Sequence, residues 1–88
     1  MRIEFSKRFI KLLKKAPKKI QIAFRNRLEI FTSDKFNPIL NNHSLSGKYT
    51  GYRSINITGD WRAIFQEYKS KKNVYFVAID THGNLYNK

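Results

Sequence analysis

The side chains best equipped for chemistry lie in the second half of the chain: His43, Lys48, Arg53, Asp60, Arg62, His82 and Tyr86. The sequence holds two histidines, and imidazole titrates near neutrality, so it can take or give a proton. His43 stands before, and His82 after, a region that carries Arg53 and Arg62. Guanidinium groups grip phosphate oxygens bidentately as negative charge builds on them. These types fit the cleavage of RNA through its own 2′-hydroxyl. That reaction needs a base for the 2′ proton, an acid for the departing 5′-oxygen, and cations around the phosphate. The substrate supplies the nucleophile, so no Ser or Cys is required.

Each residue also has a plainer reading. A loop histidine is more often a solvated side chain than a catalyst, and arginines in a basic chain are mostly solvated charge. Asp60 after Gly59 suits a turn. Trp61 and Phe65 fall on one strand face and read as core rather than as a base-stacking platform. Lys7, Arg8, Lys11, Lys14 and Lys15 read as a solvated helix face that adds long-range attraction. Other chemistries fare worse. No Gly-rich phosphate loop, HExxH helix or EF-hand loop occurs. The six acids are scattered and mostly beside basic residues, which favours neither a metal cluster nor a carboxylate pair. No metal and no cofactor is expected.

Composition bounds the rest. The 88 residues predict one small domain spanning 1–88, too short for a second core. A hydrophobic fraction of 41% with 15% aromatic residues supports a packed fold rather than disorder. The absence of cysteine excludes disulfides and thiolate chemistry and suits the cytoplasm. No apolar run approaches the roughly 20 residues that span a bilayer, and the basic amphipathic start lacks the features of a signal peptide. Eighteen Lys and Arg against six acids give a net charge of +12, which attracts polyanions: RNA, DNA, an anionic surface or an acidic protein.

The elements that must position these side chains follow from periodicity. RIEF, 2–5, alternates like a short strand. Ser6 is placed to cap a helix whose face is Phe9, Leu12, Leu13 and Ala16. Pro17 closes that helix and opens a second, with Ile20, Ala23, Phe24, Leu28 and Phe31 on one face. The stretch 32–44 is rich in Asn, Ser and Pro and reads as a loop. GYRSINI, DWRAIFQEY and NVYFVAID then read as strands joined by two hairpins. The last is apolar at nearly every position, as in a strand covered on both faces. In the tail DTHGNLYNK, Leu85 is expected to anchor the chain and Gly83 to let it turn. The predicted class is α+β in the order β-α-α-β-β-β, a helical hairpin packed on a small, mainly antiparallel sheet.

The segment HSLSGKYTGYRSINITGDWRAIFQEY, followed by VYFVAIDTHGNLY, resembles the RelE superfamily of bacterial toxins, most closely its YafQ branch. The shared pattern is a His-x-Leu-x-Gly entry, a Gly-Tyr-Arg strand, an Asp-Trp-Arg strand and a Thr-His-x-x-Leu tail. The basic helical hairpin before it is compatible in order and length. The resemblance implies a RelE/ParE-like fold and a ribosome-dependent endoribonuclease, an mRNA interferase that inhibits translation. It also implies a cognate antitoxin, with which such toxins form hetero-oligomers. On the matching motifs, His43 and Asp60 fall on active-site positions of the YafQ branch, and His82 on its C-terminal catalytic histidine. Arg62 matches a strand arginine that contacts the scissile phosphate, Arg53 a basic position on the preceding strand, and Tyr86 an aromatic position near the end. Lys48 joins Arg53 and Tyr86 as an expected substrate contact.

The sequence departs from the branch on the Gly-Tyr-Arg strand. A further Asp and His of YafQ-like proteins read here as Ser54 and Asn56, which makes His43 the better candidate for base. Two other readings stay open, because one fold hosts several functions: a non-nuclease ParE-like toxin that inhibits DNA gyrase, and an inactive relative that only binds antitoxin.

Overall fold

In the computed structural model, which describes residues 1–86, strand β1 (Arg2–Phe5) leads into helices α1 (Lys7–Lys15) and α2 (Lys18–Ser33). Strands β2 (His43–Ser44), β3 (Arg53–Thr58), β4 (Trp61–Tyr68) and β5 (Asn73–Thr81) follow, and helix α3 (His82–Tyr86) closes the described chain. The five-stranded sheet has the order β1-β5-β4-β3-β2. Only the β1–β5 pair is parallel, so the sheet is mainly antiparallel, as the sequence predicts. No helix of the described residues is long and apolar enough to cross a membrane.

Local chemistry explains the boundaries. Ser6 Oγ accepts from Phe9 N at 2.9 Å, capping α1, and lies 3.3 Å from Val77 O, to which it donates. One hydroxyl therefore starts the helix and ties it to β5. Pro17 separates the two helices, and Gln21 Nε2 donates to Ala16 O at 3.0 Å across the break. The Gly59–Asp60 turn joins β3 to β4, with Gly59 at φ +54, a region that favours glycine.

The helices cover one face of the sheet. Phe9 of α1 and Ile20, Phe24 and Phe31 of α2 bury against Ile55, Ile57, Ala63, Phe65, Val74, Phe76 and Ile79. Phe76 is the hub: its ring lies 5.3–5.7 Å from those of Phe5, Phe9, Phe24, Phe31 and Phe65. β5 runs between β1 and β4, with Val74, Phe76 and Ile79 buried under the helices and, on the other face, Ala78 buried and Tyr75 and Val77 half-buried.

Two segments are more ordered than the sequence pattern indicates. The stretch read as a loop over 32–44 holds the end of α2, a 3₁₀ turn at Pro38–Leu40 and the two-residue β2. Asn37 caps that turn by accepting from Ile39 N, and fully buried Leu40 pins it to the core. From His82 to Tyr86 the tail is helical, with Gly83 inside α3 rather than at a turn, while Leu85 is buried as expected; its last two residues lie outside the described ones. Large-to-small changes in aromatic cores typically cost about 3–5 kcal/mol. Phe76→Ala is expected at the upper end of that range, measured by urea unfolding, whereas a change smaller than that of Phe24→Ala would deny Phe76 its hub role.

Candidate active site

Strand alternation sends Ile55, Ile57, Ala63 and Phe65 to the helices, and so directs Ser54, Asn56, Arg62 and Ile64 to the opposite face. Pairing then lays these residues in rows. His43 stands opposite Ser54, and Ser54 opposite Ile64. Asn56 stands opposite Arg62, and Arg62 opposite Asp80. α3 turns back over the end of this face, where Leu85 packs with Ile64 and Ala78.

The result is a cleft of about 440 Å³, within the roughly 300–1,000 Å³ usual for ligand sites. His43, Ser54, Arg62, His82 and Tyr86 all line it. His82 and Tyr86 are four apart on α3 and therefore neighbours, with ring centroids 4.7 Å apart. Tyr86 is braced in turn by Tyr49, at 5.6 Å in an edge-on arrangement.

Each histidine is held by its surroundings. His43 Nδ1 lies 2.7 Å from the carbonyl oxygen of Asn41. A carbonyl only accepts, so the contact puts a proton on Nδ1, and in the uncharged form of the ring the lone pair is then on Nε2. The backbone N of His82 donates to Asp60 O at 2.7 Å. Asp80 Oδ1 accepts from Thr81 N at 2.8 Å and from Asn84 Nδ2 at 2.9 Å, which fixes the start of α3. Both imidazoles are exposed to solvent.

Arg62 Nη1 donates to the carbonyls of Gly59 and Trp61 at 3.0 and 3.1 Å. Among the described residues no carboxylate forms an ion pair with it. Its remaining N–H groups and its charge are therefore available to an anion in the cleft. The strand face beneath is polar: Ser54 Oγ, in the cleft lining, and Asn56 Oδ1 are buried without a well-formed hydrogen bond among the described residues. Burial raises the Tyr86 phenol above its ordinary value and Tyr49 adds to the rise, while neighbouring Ser54 and Arg62 oppose it.

The other residues singled out from the sequence lie elsewhere. Asp60 borders a hollow on the helix side with Lys19, Ile20 and Trp61, and reaches the cleft's neighbourhood through its backbone carbonyl. Arg53 faces a separate depression with Glu67 and Lys71. Lys48 sits over the Tyr49 ring, its Nζ 5.3 Å from the centroid. Sequence reasoning passed over Asn41, Asp80 and Asn84. For the last two a signal existed, since an Asp shortly before and an Asn shortly after His82 are residue types that bond locally where a helix starts. No group of three or more His, Cys, Asp or Glu suited to a metal occurs among the described residues.

A raised phenol pKa makes a native state that holds its proton more tightly than the unfolded chain. That stability is fully present below the ordinary value of 10.0 and is lost as pH rises through the folded value. Tyr86→Phe is therefore expected to flatten the alkaline fall in unfolding midpoint. An unchanged slope would place the phenol outside the buried cleft wall.

The family described as "Bacterial toxin of type II toxin-antitoxin system, YafQ" matches residues 1–87. No curated protein matches the sequence significantly. Among solved structures, YafQ from E. coli superposes with a TM-score of 0.80 at 23% identity, covering 98% of this chain and 99% of that one. The toxin in the E. coli DinJ–YafQ complex gives 0.78 at 24% identity, over 98% and 99% of the two chains. A chain of the archaeal RelE–RelB complex from Pyrococcus horikoshii gives 0.72 at 21% identity, over 93% and 94%.

Proposed function

The chain belongs to the YafQ family of bacterial type II toxin–antitoxin toxins, and from that premise we propose that it is a ribosome-dependent endoribonuclease that cuts mRNA and so inhibits translation. The observation that carries this reading is the shared cleft: two imidazoles, a guanidinium with no ion pair among the described residues and an aromatic ring line one cavity. The chain 1–88 acts as a single domain in the cytoplasm.

The chemistry follows from the groups present. His43 Nε2, with its lone pair free, takes the proton from the ribose 2′-hydroxyl as that oxygen attacks phosphorus. Arg62 holds the phosphate oxygens while charge accumulates on them. His82 donates a proton to the 5′-oxygen as the P–O5′ bond breaks. The products are a 2′,3′-cyclic phosphate and a 5′-hydroxyl, with no metal and no cofactor taking part. Tyr86, beside His82, offers a ring face to a nucleobase. Asp60 supports His82 through its backbone carbonyl, and Lys48 meets the RNA backbone at the rim.

Association with the ribosome draws on the charge of +12, including the exposed Lys7, Arg8, Lys11, Lys14 and Lys15 of α1. Similar chains occur in complexes with DinJ and RelB, and a cognate antitoxin is the corresponding partner here, in a hetero-oligomer that silences the toxin.

A missing general acid costs about 10²- to 10⁴-fold in rate. His82→Gln is expected to lose cleavage of ribosome-bound mRNA by that factor with its thermal midpoint unchanged. A 2′-deoxy substitution at the cut site should block cleavage by the unaltered toxin. Full activity of folded His82→Gln would overturn the assignment, and DNA breaks without cut mRNA would favour the gyrase-inhibiting reading instead.

A further inference from the structure

We infer that Arg53 is a positioning residue, which holds His43 in its productive orientation through Asn42 and does not contact the substrate. This rests on the reading of the cleft as an RNA-cleaving site.

Arg53 opens β3 opposite Ser44, one residue from the Ser54–His43 pair. Alternation therefore turns it to the other side of the sheet from Ser54. There its Nε donates to Asn42 Oδ1 at 2.8 Å and its Nη2 reaches Asn42 O at 3.4 Å. The guanidinium carbon lies 5.6 Å from the centroid of the Phe36 ring. Two acceptors on Asn42 and the Phe36 ring thus anchor the guanidinium on the segment before β2.

Asn42 is anchored as well. Its Nδ2 donates to Lys35 O at 2.9 Å, so the two ends of its amide have chemically distinct partners and only one orientation satisfies both. Lys35 Nζ bonds Glu67 Oε2 on β4 at 2.8 Å, with side-chain exposures of 23% and 10%. A chain of contacts from Glu67 through Lys35 and Asn42 to Arg53 thus fastens the segment before β2 to the sheet.

That segment carries the partner of the base. Asn41, in a left-handed conformation at φ 46, offers the carbonyl that receives His43 Nδ1–H. Asn42 lies between Asn41 and His43, so fixing its side chain and carbonyl fixes both ends of the Nδ1 bond. β2 is two residues long and cannot hold the ring by strand pairing alone. Without the clamp the Nδ1 bond loosens, the ring samples both tautomers, and Nε2 leaves the attacking hydroxyl.

The test uses full-length toxin carrying Arg53→Ala, Asn42→Ala or both, with Arg53→Lys as a milder change. The imidazole tautomer is read by long-range ¹H–¹⁵N NMR, beside kcat and KM on ribosome-bound mRNA. Misplacement of a catalytic group by about 1 Å can cost roughly 10²-fold. Each alanine variant is expected to lower kcat on that order with KM unchanged, and to convert His43 from the Nδ1–H form to a mixture. The double variant should be no worse than either single one, because both act through one contact. Arg53→Lys should fall short of rescue, since an ammonium lacks the guanidinium fork. A raised KM for Arg53→Ala beside a silent Asn42→Ala would overturn the inference and make Arg53 a substrate contact. So would an unaltered His43 tautomer in both single variants. If the unaltered toxin cuts no RNA, the cleavage reading falls, while the tautomer measurement still decides whether the clamp exists.

Discussion

The site depends on a change of phase in β5. Phe76 pairs with Phe65 and Ala78 with Ile64, which leaves Val77 as an extra residue in the strand. Such a bulge reverses the sidedness of everything beyond it. Phe76 can thus join the aromatic core beneath the helices while Ile79 also points inward and Asp80 stands opposite Arg62, its carboxylate bonding Thr81 N and Asn84 Nδ2 at the start of α3. In a regular strand Asp80 would share the face of Phe76 and its carboxylate would enter an apolar core. The same slip places Val77 and Ala78 together on the cleft side, where Leu85 packs with Ala78. The seat of α3, and so the placement of His82 and Tyr86, follows from one inserted residue.

Catalytic candidates sit on the weakest elements of the fold. β2 has two residues and α3 has five, too few to be stable by backbone hydrogen bonding alone. Their order comes from bonds between side chains and backbone: Asn42 Nδ2 to Lys35 O and His43 Nδ1 to Asn41 O around β2, and Thr81 N to Asp80 Oδ1 and Asn84 N to Thr81 Oγ1 at the start of α3. Elements held in this way open at lower free energy than the central strands. Ser54 Oγ and Asn56 Oδ1 are buried without a hydrogen bond of good geometry among the described residues, and a buried polar group left unsatisfied costs about 1–3 kcal/mol.

Periodicity revealed what long-range burial dictates. The helical faces of Phe9 and of Ile20, Phe24 and Phe31, the alternation of β3 and β4, and buried Leu85 were all legible, because a solvent boundary imposes those patterns directly. The His43–Ser54 pairing was not, since two residues have no period. Nor was the bulge at Val77, because Val and Ala are apolar on either face. α3 escaped notice for the same reason as β2: its five residues are organised by Asp80 and Asn84 rather than by an apolar stripe. Arg53 illustrates a different limit. Charge and residue type are visible in the sequence, but which side of the sheet a guanidinium occupies depends on register, and here register sends it to Asn42.

The charge distribution binds these features to the family's biology. Eighteen cationic side chains face six acids, and the ion pairs among the described residues are Arg2–Glu4 and Lys35–Glu67. Only the second is partly buried, and it serves the segment that carries His43. Most of the positive charge is therefore unneutralised at the surface, where it repels itself and lowers the stability of the compact free chain. Any polyanion or acidic partner that binds the folded form relieves this repulsion and adds stability by mass action. An antitoxin and an RNA backbone would thus draw on one reservoir of electrostatic free energy. The field is long-ranged and does not distinguish between them; the cleft, with its directed imidazoles and the Arg62 guanidinium, is where discrimination must arise.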